Sequence, residues 1–190
     1  MVLGIYSRKI VGHEVHEAES AESAARLMRR ASLAEGLAGR PLVLHSDNGS
    51  AMKGSTMLAT LKQLGVAPSF SRPRVSNDNA YAESLFRTCK YRPNYPRKPF
   101  ATLKEARAWT QRFVGWYNQD HKHSDLKFVT PAQRHGGQAE AILGYREQVY
   151  REAKSRNPQR WWRDVRNWNL DGQVWLNPER IRPEELQQVA

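Results

Sequence analysis

The sequence contains very little cysteine and no long apolar run. Cys89 is the only cysteine among 190 residues, which excludes a disulfide within the chain and favours a reducing compartment. No segment approaches the ~18 consecutive apolar residues that a membrane-spanning helix needs. Residues 1–10 also lack a charged segment followed by a long apolar one, so no signal peptide is predicted. We therefore expect a cytoplasmic protein without a membrane partner.

Acidic residues are scarce relative to basic ones. Nineteen Asp and Glu stand against thirty Lys and Arg, which gives a formal net charge of +11 and a pI near 10.1. Such an excess favours a polyanionic partner, most often nucleic acid, although a basic protein without such a partner has the same composition. Aspartate is absent from the first 46 residues, and the acidic residues there are glutamates between Glu14 and Glu35.

The first half of the chain predicts alternating strands and helices. Strands are expected at 2–6, 10–15, 42–45 and 66–71, with a helix after Ser20 and another that ends at Gly65. This order is typical of an α/β protein, in which functional groups gather beyond the carboxyl ends of strands. Asp47 lies at such an end, in the segment HSDNGS. Because Asp-Asn-Gly is also typical of a turn, both a structural and a chemical role are open for Asp47 at this point.

A helix over residues 80–91 carries two distinct stripes. Its start is marked by the capping residues Ser76-Asn77-Asp78-Asn79. Helical spacing predicts a buried face formed by Ala82, Leu85, Phe86 and Cys89. Glu83, Arg87 and Lys90 form the neighbouring stripe, which is either a solvated salt-bridge face or a functional one whose cations suit a phosphate backbone.

A further helix is predicted after Thr102, which forms a capping-box pattern with Glu105. Its apolar residues, through Phe113 and Tyr117, recur so regularly that we expect core packing rather than a base-stacking platform. The pair His121 and His123 lacks the cysteine or acid neighbours of a metal site, so a structural or DNA-contacting role is expected for it.

The sequence pattern changes after Gly136-Gly137. This change predicts two domains, residues 1–135 and 136–190. A helix through residues 142–149 precedes a Trp/Arg-rich segment at 157–180. Strands are expected at 165–168 and 174–176, so the second domain is predicted to be a small α+β appendage. Interleaved Trp and Arg suit nucleic-acid stacking, and they equally suit a self-packed β unit with solvated arginines.

Three motifs carry a resemblance to a known family. They are SDNG at 46–49, SRPRVSNDNAYAESLFRTCKYR at 71–92 and WYNQDHKHSDLKFVTPAQ at 116–133. With these motifs the chain resembles the IS3-type insertion-sequence transposases, whose catalytic domain is related to retroviral integrase. The 35 residues numbered 48 to 82 separate Asp47 from Glu83. This family keeps the same spacing between the second and third members of its Asp-Asp-Glu triad.

The resemblance implies a site and its partners. Asp47 and Glu83 would be catalytic residues and ligands of Mg²⁺ or Mn²⁺, with two ions in the complete site. Two such ions stabilise the attacking and the leaving oxygen of a displacement at phosphorus. Arg87, Lys90 and His123 would contact double-stranded DNA, and the active complex would be a homo-oligomer.

The resemblance also shows a departure from the family pattern. The family's first Asp lies on a strand upstream of Met1, and relatives usually carry another Asp where Gly4 stands. We therefore expect an RNase H-like α/β core that lacks its first strand, as in an N-terminally truncated transposase. The implied function is metal-dependent DNA strand cleavage and transfer in DNA transposition. The alternative is a catalytically inactive DNA-binding remnant of a transposase gene.

Overall fold

Two small sheets and a set of helices form a mixed α/β fold, which agrees with the predicted α/β class. The computed structural model describes residues 1–37, 39–73, 75 and 78–176. Strand β1 (Val2–Leu3) pairs antiparallel with β2 (Ile10–Gly12). Strand β3 (Leu42–Ser46) pairs parallel with β4 (Val66–Phe70) in an unbroken register.

The helices begin and end where local signals place them. Ser20 caps the first helix by accepting a hydrogen bond from the Ser23 N–H at 3.1 Å, and Gly65 ends the third with a φ of 71°. The helices are α1 (Ala21–Ala34), α2 (Ser50–Lys53), α3 (Ser55–Leu64), α4 (Ala80–Lys90), α5 (Leu103–Gln119), α6 (Pro131–His135) and α7 (Ala139–Arg156), with 3-10 turns at Ser124–Leu126 and Pro158–Arg160. Within the described residues, none of these helices has the length and apolar character needed to cross a membrane.

The first hairpin is shorter than predicted. Gly4 and the residues after it form a tight turn instead of extending β1 to residue 6. In this turn the Gly4 N–H donates to Lys9 O at 2.9 Å and the Arg8 N–H donates to Gly4 O at 2.7 Å. Arg8 takes a positive φ of 60°, which a strand does not allow. Strand β2 ends at Gly12, because residues 13–15 have no strand partner among the described residues.

Three apolar clusters hold the elements together. Met28, Met57, Leu61 and Val66 join α1 and α3 to the β3–β4 sheet. The second cluster joins β2, α4 and α5 through Ile10, Leu85, Cys89, Phe113, Val114 and Tyr117. The third joins the turn at 124–126, α7 and the following segment through Leu126, Val129, Ala139, Leu143 and Trp168. The predicted core role of the α5 aromatics Phe113 and Tyr117 is thus confirmed, since both are at least 98% buried.

The predicted buried face of α4 is only partly correct. Leu85 and Cys89 are buried, but Phe86 is 47% exposed. Phe86 lines a cavity of about 290 Å³ whose walls also include residues 1–5 and 42–45. Among the described residues, β1 and β3 each pair with one strand only, and both line this cavity. We call it the inter-sheet slot.

The strands predicted at 165–168 and 174–176 are wrong. Residues 161–176 form irregular chain after α7, so the described part of the appendage contains no sheet. In this segment, side-chain oxygens accept hydrogen bonds from backbone N–H groups. The Val165 N–H donates to Asp164 Oδ1, and the Asn169 N–H donates to Asn167 Oδ1, both at 2.8 Å. Such local bonds compete with strand pairing. Residues 177–180 of the Trp/Arg-rich segment lie outside the described residues.

Candidate active site and nucleic-acid interface

Asp47 lies directly after β3, at the strand end that the sequence predicted. Its Oδ1 accepts a hydrogen bond from the Gly49 N–H at 3.1 Å, so the segment does form an Asx turn. Asn48 Nδ2 donates to Ser71 O at 2.8 Å and ties this turn to the end of β4. A Cβ at Gly49 would lie only 3.1 Å from Asp47 Oδ1, so the glycine leaves room for the carboxylate. The Asp47 side chain is exposed, and the turn uses one of its two oxygens.

Glu83 lies in the first turn of α4, with its side chain exposed. Its N–H donates to Asn79 O at 3.0 Å as part of the helix start. The salt-bridge interpretation of its stripe requires a pair between Glu83 and Arg87 or Lys90, and none forms within 4 Å among the described residues. Among the described residues Glu83 thus forms no ion pair, and it lies on the same stripe as the exposed Arg87 and Lys90, as the functional interpretation requires.

A buried carboxylate, which the sequence predicted only as one of four capping residues, lies just before the start of α4. Asp78 is 4% exposed, and its Oδ2 accepts hydrogen bonds from the Arg72 backbone N–H at 2.7 Å and from Arg72 Nε at 3.0 Å. Arg72 NH2 donates to Asp78 Oδ1 at 2.8 Å, which completes a two-pronged ion pair. This pair joins Arg72, two residues after β4, to Asp78, two residues before α4 begins at Ala80. The sequence placed Asp78 at the helix start but did not identify Arg72 as its partner. Of the other predicted capping residues, Asn79 forms no side-chain capping bond, and Ser76 and Asn77 lie outside the described residues.

The donor chemistry of the two predicted carboxylates suits a metal ion. Asp47 and Glu83 present hard oxygen donors, which suit a divalent cation such as Mg²⁺. However, no group of three or more His, Cys, Asp or Glu side chains that could hold a metal ion forms within the described part of the chain. The two carboxylates therefore fit as ligands, but the described residues do not complete a two-ion site.

Asp47 also borders a cavity that the sequence did not predict. This cavity, of about 430 Å³, is lined by the Met1 terminus and by Glu14, Glu17, Glu19 and Asp47. Burial lowers the pKa of the Met1 amine. The run of glutamates before α1 was visible in the sequence, but its position beside Asp47 depends on long-range packing.

His123 lies within an aromatic group rather than on an open surface. Its ring is 6.4 Å from the Tyr117 ring and 5.6 Å from the His121 ring, between centroids. Burial lowers the pKa of both histidines and raises the pKa of Tyr117 to about 12. Both imidazoles are therefore neutral at pH 7. The structure shows packing for His123, and its DNA contact stays a prediction, as do those of the exposed Arg87 and Lys90.

Comparison with known proteins gives consistent matches over most of the chain. The integrase core domain matches twice, over residues 1–76 and over residues 64–131. The transposase for insertion sequence element IS904 of Lactococcus lactis is 32% identical over 133 residues, which cover 68% of this chain and 51% of that relative. A putative transposase for insertion sequence element IS986/IS6110 of Mycobacterium tuberculosis is 27% identical over 94 residues, covering 50% of this chain and 34% of the relative. The chain thus spans from a third to about half of the length of these curated relatives.

Proposed function

Because the chain belongs to the integrase-core transposases of insertion sequences, we propose that it is the catalytic domain of a DNA transposase that cleaves and joins DNA strands. The observation that carries this proposal is the run of two integrase core matches, which overlap at residues 64–76 and together span 1–131. The motifs at 46–49, 71–92 and 116–133 support a finer placement in the IS3-type group. Double-stranded DNA is the proposed substrate, with a homo-oligomer as the active form.

The split sheet supports an RNase H-like core that lacks one strand. Neighbouring strands in a sheet lie about 4.8 Å apart. One inserted strand therefore needs a gap of about 10 Å between the two strands that flank it. The inter-sheet slot runs along β1 and β3, and each of these strands has one edge without a strand partner in the part of the chain that the structure describes. A strand in this slot would join the two pairs into one five-stranded sheet. None of the described residues fills that position.

Asp47 and Glu83 are the proposed catalytic carboxylates. A bound Mg²⁺ or Mn²⁺ would supply Lewis-acid stabilisation of the oxygens at the reacting phosphorus. The Asx turn fixes the Asp47 carboxylate, since the Gly49 N–H holds one oxygen in place. The Arg72–Asp78 pair fixes the start of α4 and so orients Glu83. Exposed Arg87 and Lys90 follow Glu83 on the same stripe, where they would contact the DNA backbone.

The alternative is a DNA-binding remnant without catalytic activity. The observation that favours it is the lack of a three-ligand metal group among the described residues. Both proposals predict DNA binding, and only the first predicts strand cleavage when a third carboxylate is supplied.

A cleavage and strand-transfer assay with Mg²⁺ or Mn²⁺ separates the two. It compares the 190-residue chain with an extended chain, in which the upstream segment of the IS904 relative is fused before Val2 and Asp replaces Gly4. A Cβ at Gly4 would lie 3.5 Å from Ser7 Oγ and 3.8 Å from Lys9 O, which are ordinary van der Waals contacts. The extended chain should act on DNA, and the 190-residue chain should be close to inactive.

The carboxylates are tested in the extended chain. Asp47→Asn or Glu83→Gln should abolish cleavage and leave DNA binding intact, and chelation of the metal should do the same. Cleavage that survives both substitutions would show that the assigned carboxylates are wrong. An extended chain that binds DNA and never cleaves it would favour the remnant.

A further inference from the structure

An arginine-lined groove lies between α1 and α5. It has a volume of about 340 Å³, and the extended segment 13–16 forms part of its wall. Arg26 and Arg30 reach it from α1, and Arg107 reaches it from α5. We call this cavity the arginine groove. It is separate from the stripe of Arg87 and Lys90 on α4.

A shielded carboxylate orients the two arginines of α1. The Glu14 side chain is only 11% exposed, and its Oε1 accepts a hydrogen bond from Arg30 NH1 at 2.8 Å. Its Oε2 lies 2.8 Å from His16 Nε2 and 3.7 Å from Arg26 NH2. Burial pushes the pKa of Glu14 up, but the bonds and charges of His16, Arg26 and Arg30 outweigh it and the pKa is lowered. The carboxylate therefore stays ionised and holds the arginines at one wall.

The arginines keep most of their donors available. Each guanidinium has five N–H donors. Arg107 Nε donates to Val15 O at 3.1 Å, and Arg26 NH2 donates to Ser23 Oγ at 3.3 Å. Yet the side chains of Arg26 and Arg30 remain 55% and 71% exposed. Three arginines against one glutamate leave an excess of positive charge at the groove.

The groove adjoins the cavity that contains Asp47. Glu14 and His16 line both cavities, so this segment is their common wall. A phosphate backbone bound by these arginines would therefore be separated from the cavity of Asp47 by the residues that line both cavities. Guanidinium groups held in place are well suited to phosphate oxygens, because their planar fork can donate two parallel hydrogen bonds.

We propose that the arginine groove binds phosphates of duplex DNA beside Asp47, through Arg26, Arg30 and Arg107. The proposal rests on the proposed DNA substrate and adds a backbone contact surface that the α4 stripe does not contain.

The test is the salt dependence of binding to a labelled 20-base-pair duplex, measured by fluorescence anisotropy from 50 to 200 mM salt. Each phosphate contact contributes about −0.9 to the slope of log K against log salt. The double variant Arg26→Gln/Arg30→Gln should therefore reduce the slope by about 1.8 and weaken binding at least about tenfold near 0.1 M salt. Arg107→Gln should reduce the slope by about 0.9.

The matched control is Arg151→Gln/Arg156→Gln on α7. Those side chains are 59% and 74% exposed and also pair with glutamates, so the control removes the same charge from a similar setting. Equal effects of both double variants, or no effect of the groove variant, would overturn the groove while DNA binding by the native chain stands. If the native chain itself fails to bind duplex DNA, the proposed substrate fails together with the groove. Thermal unfolding of each variant checks that it is folded.

Discussion

The side chain of Asn118 pairs with the backbone of Ile10 through two hydrogen bonds. The Ile10 N–H donates to Asn118 Oδ1, and Asn118 Nδ2 donates to Ile10 O, both at 2.9 Å. Asn118 is 8% exposed, and Ile10 belongs to the apolar cluster of β2, α4 and α5. An amide on α5 thus takes the place of a neighbouring strand at this point of β2.

Replacing Asn118 should destabilise the fold strongly. Asn118→Ala leaves a buried N–H and a buried carbonyl without partners, at a cost of about 1–3 kcal/mol each. We expect the free energy of unfolding to fall by about 2–4 kcal/mol in urea titrations. Gln119→Ala, an exposed amide one residue later, should change it by less than about 0.5 kcal/mol. Similar losses in both variants would show that the paired amide has no special role.

Two glycines should respond to alanine with opposite signs. A Cβ at Gly54 would lie 2.5 Å from Ala21 Cβ, whereas a Cβ at Gly115 inside α5 would meet nothing within 4 Å. Gly54→Ala should therefore cost about 1–3 kcal/mol through overpacking. Gly115→Ala should stabilise by about 0.5–1 kcal/mol, because it favours the helix. Thermal unfolding of the two variants measures both signs, and a stabilised Gly54→Ala would contradict the tight approach of α1 to the α2–α3 junction.

Neighbouring residues on α4 should differ in their contribution to stability. Leu85 is 3% exposed in the apolar cluster, while Phe86 is 47% exposed at the inter-sheet slot. Leu85→Ala should cost about 2–5 kcal/mol. Phe86→Ala should cost clearly less, since much of its surface already faces solvent. Denaturant titrations provide the comparison. A larger cost at Phe86 would mean that the slot is closed over this ring in solution.

Local signals allowed much of the helical fold to be predicted. Ser20, Gly65 and Thr102 act on atoms a few residues away, so capping chemistry alone places them. Even the capping box at Thr102 was only partly correct. Thr102 accepts the Glu105 N–H at 3.1 Å, but Glu105 Oε2 accepts its bond from the Ala101 N–H. The choice between two adjacent backbone donors depends on geometry that sequence spacing does not resolve.

Features that depend on distant partners could not be predicted from the sequence. The position of Asp47 at a strand end could be predicted, because a short apolar run precedes it in the sequence. Glu14 lines the same cavity as Asp47 only because residues 13–16 pack between α1 and α5, and the sequence does not show this packing. Phe86 has helical spacing typical of a core residue. It is exposed because the position next to β1 and β3 contains no further strand among the described residues. Periodicity identifies a face of a helix and does not show what covers it.

Glu35 should make stability depend on pH in acid. Its Oε1 lies 2.8 Å from Lys9 Nζ and its Oε2 lies 2.7 Å from His135 Nε2, which links the first hairpin, α1 and α6. Burial pushes the pKa of Glu35 up, but the bonds and charges of Lys9 and His135 outweigh it and hold the pKa below its usual 4.5. A carboxylate whose pKa is lower in the folded state stabilises the fold above the pKa of the unfolded chain. That contribution is lost as the pH falls through the folded value.

Glu35→Gln tests this linkage. At pH 7 the variant should unfold about 1–3 kcal/mol more easily, because Lys9 and His135 both lose the carboxylate that they contact. The part of this difference that comes from the Glu35 charge should shrink as the pH falls below 4.5, where the native carboxylate takes up its proton. Urea titrations from pH 3 to pH 7 measure this difference. Glu152→Gln removes an exposed pair with Arg156 and should cost less than about 0.5 kcal/mol. A Glu35→Gln deficit that persists unchanged at pH 3 would show that packing of the side chain, and not its charge, links the three segments.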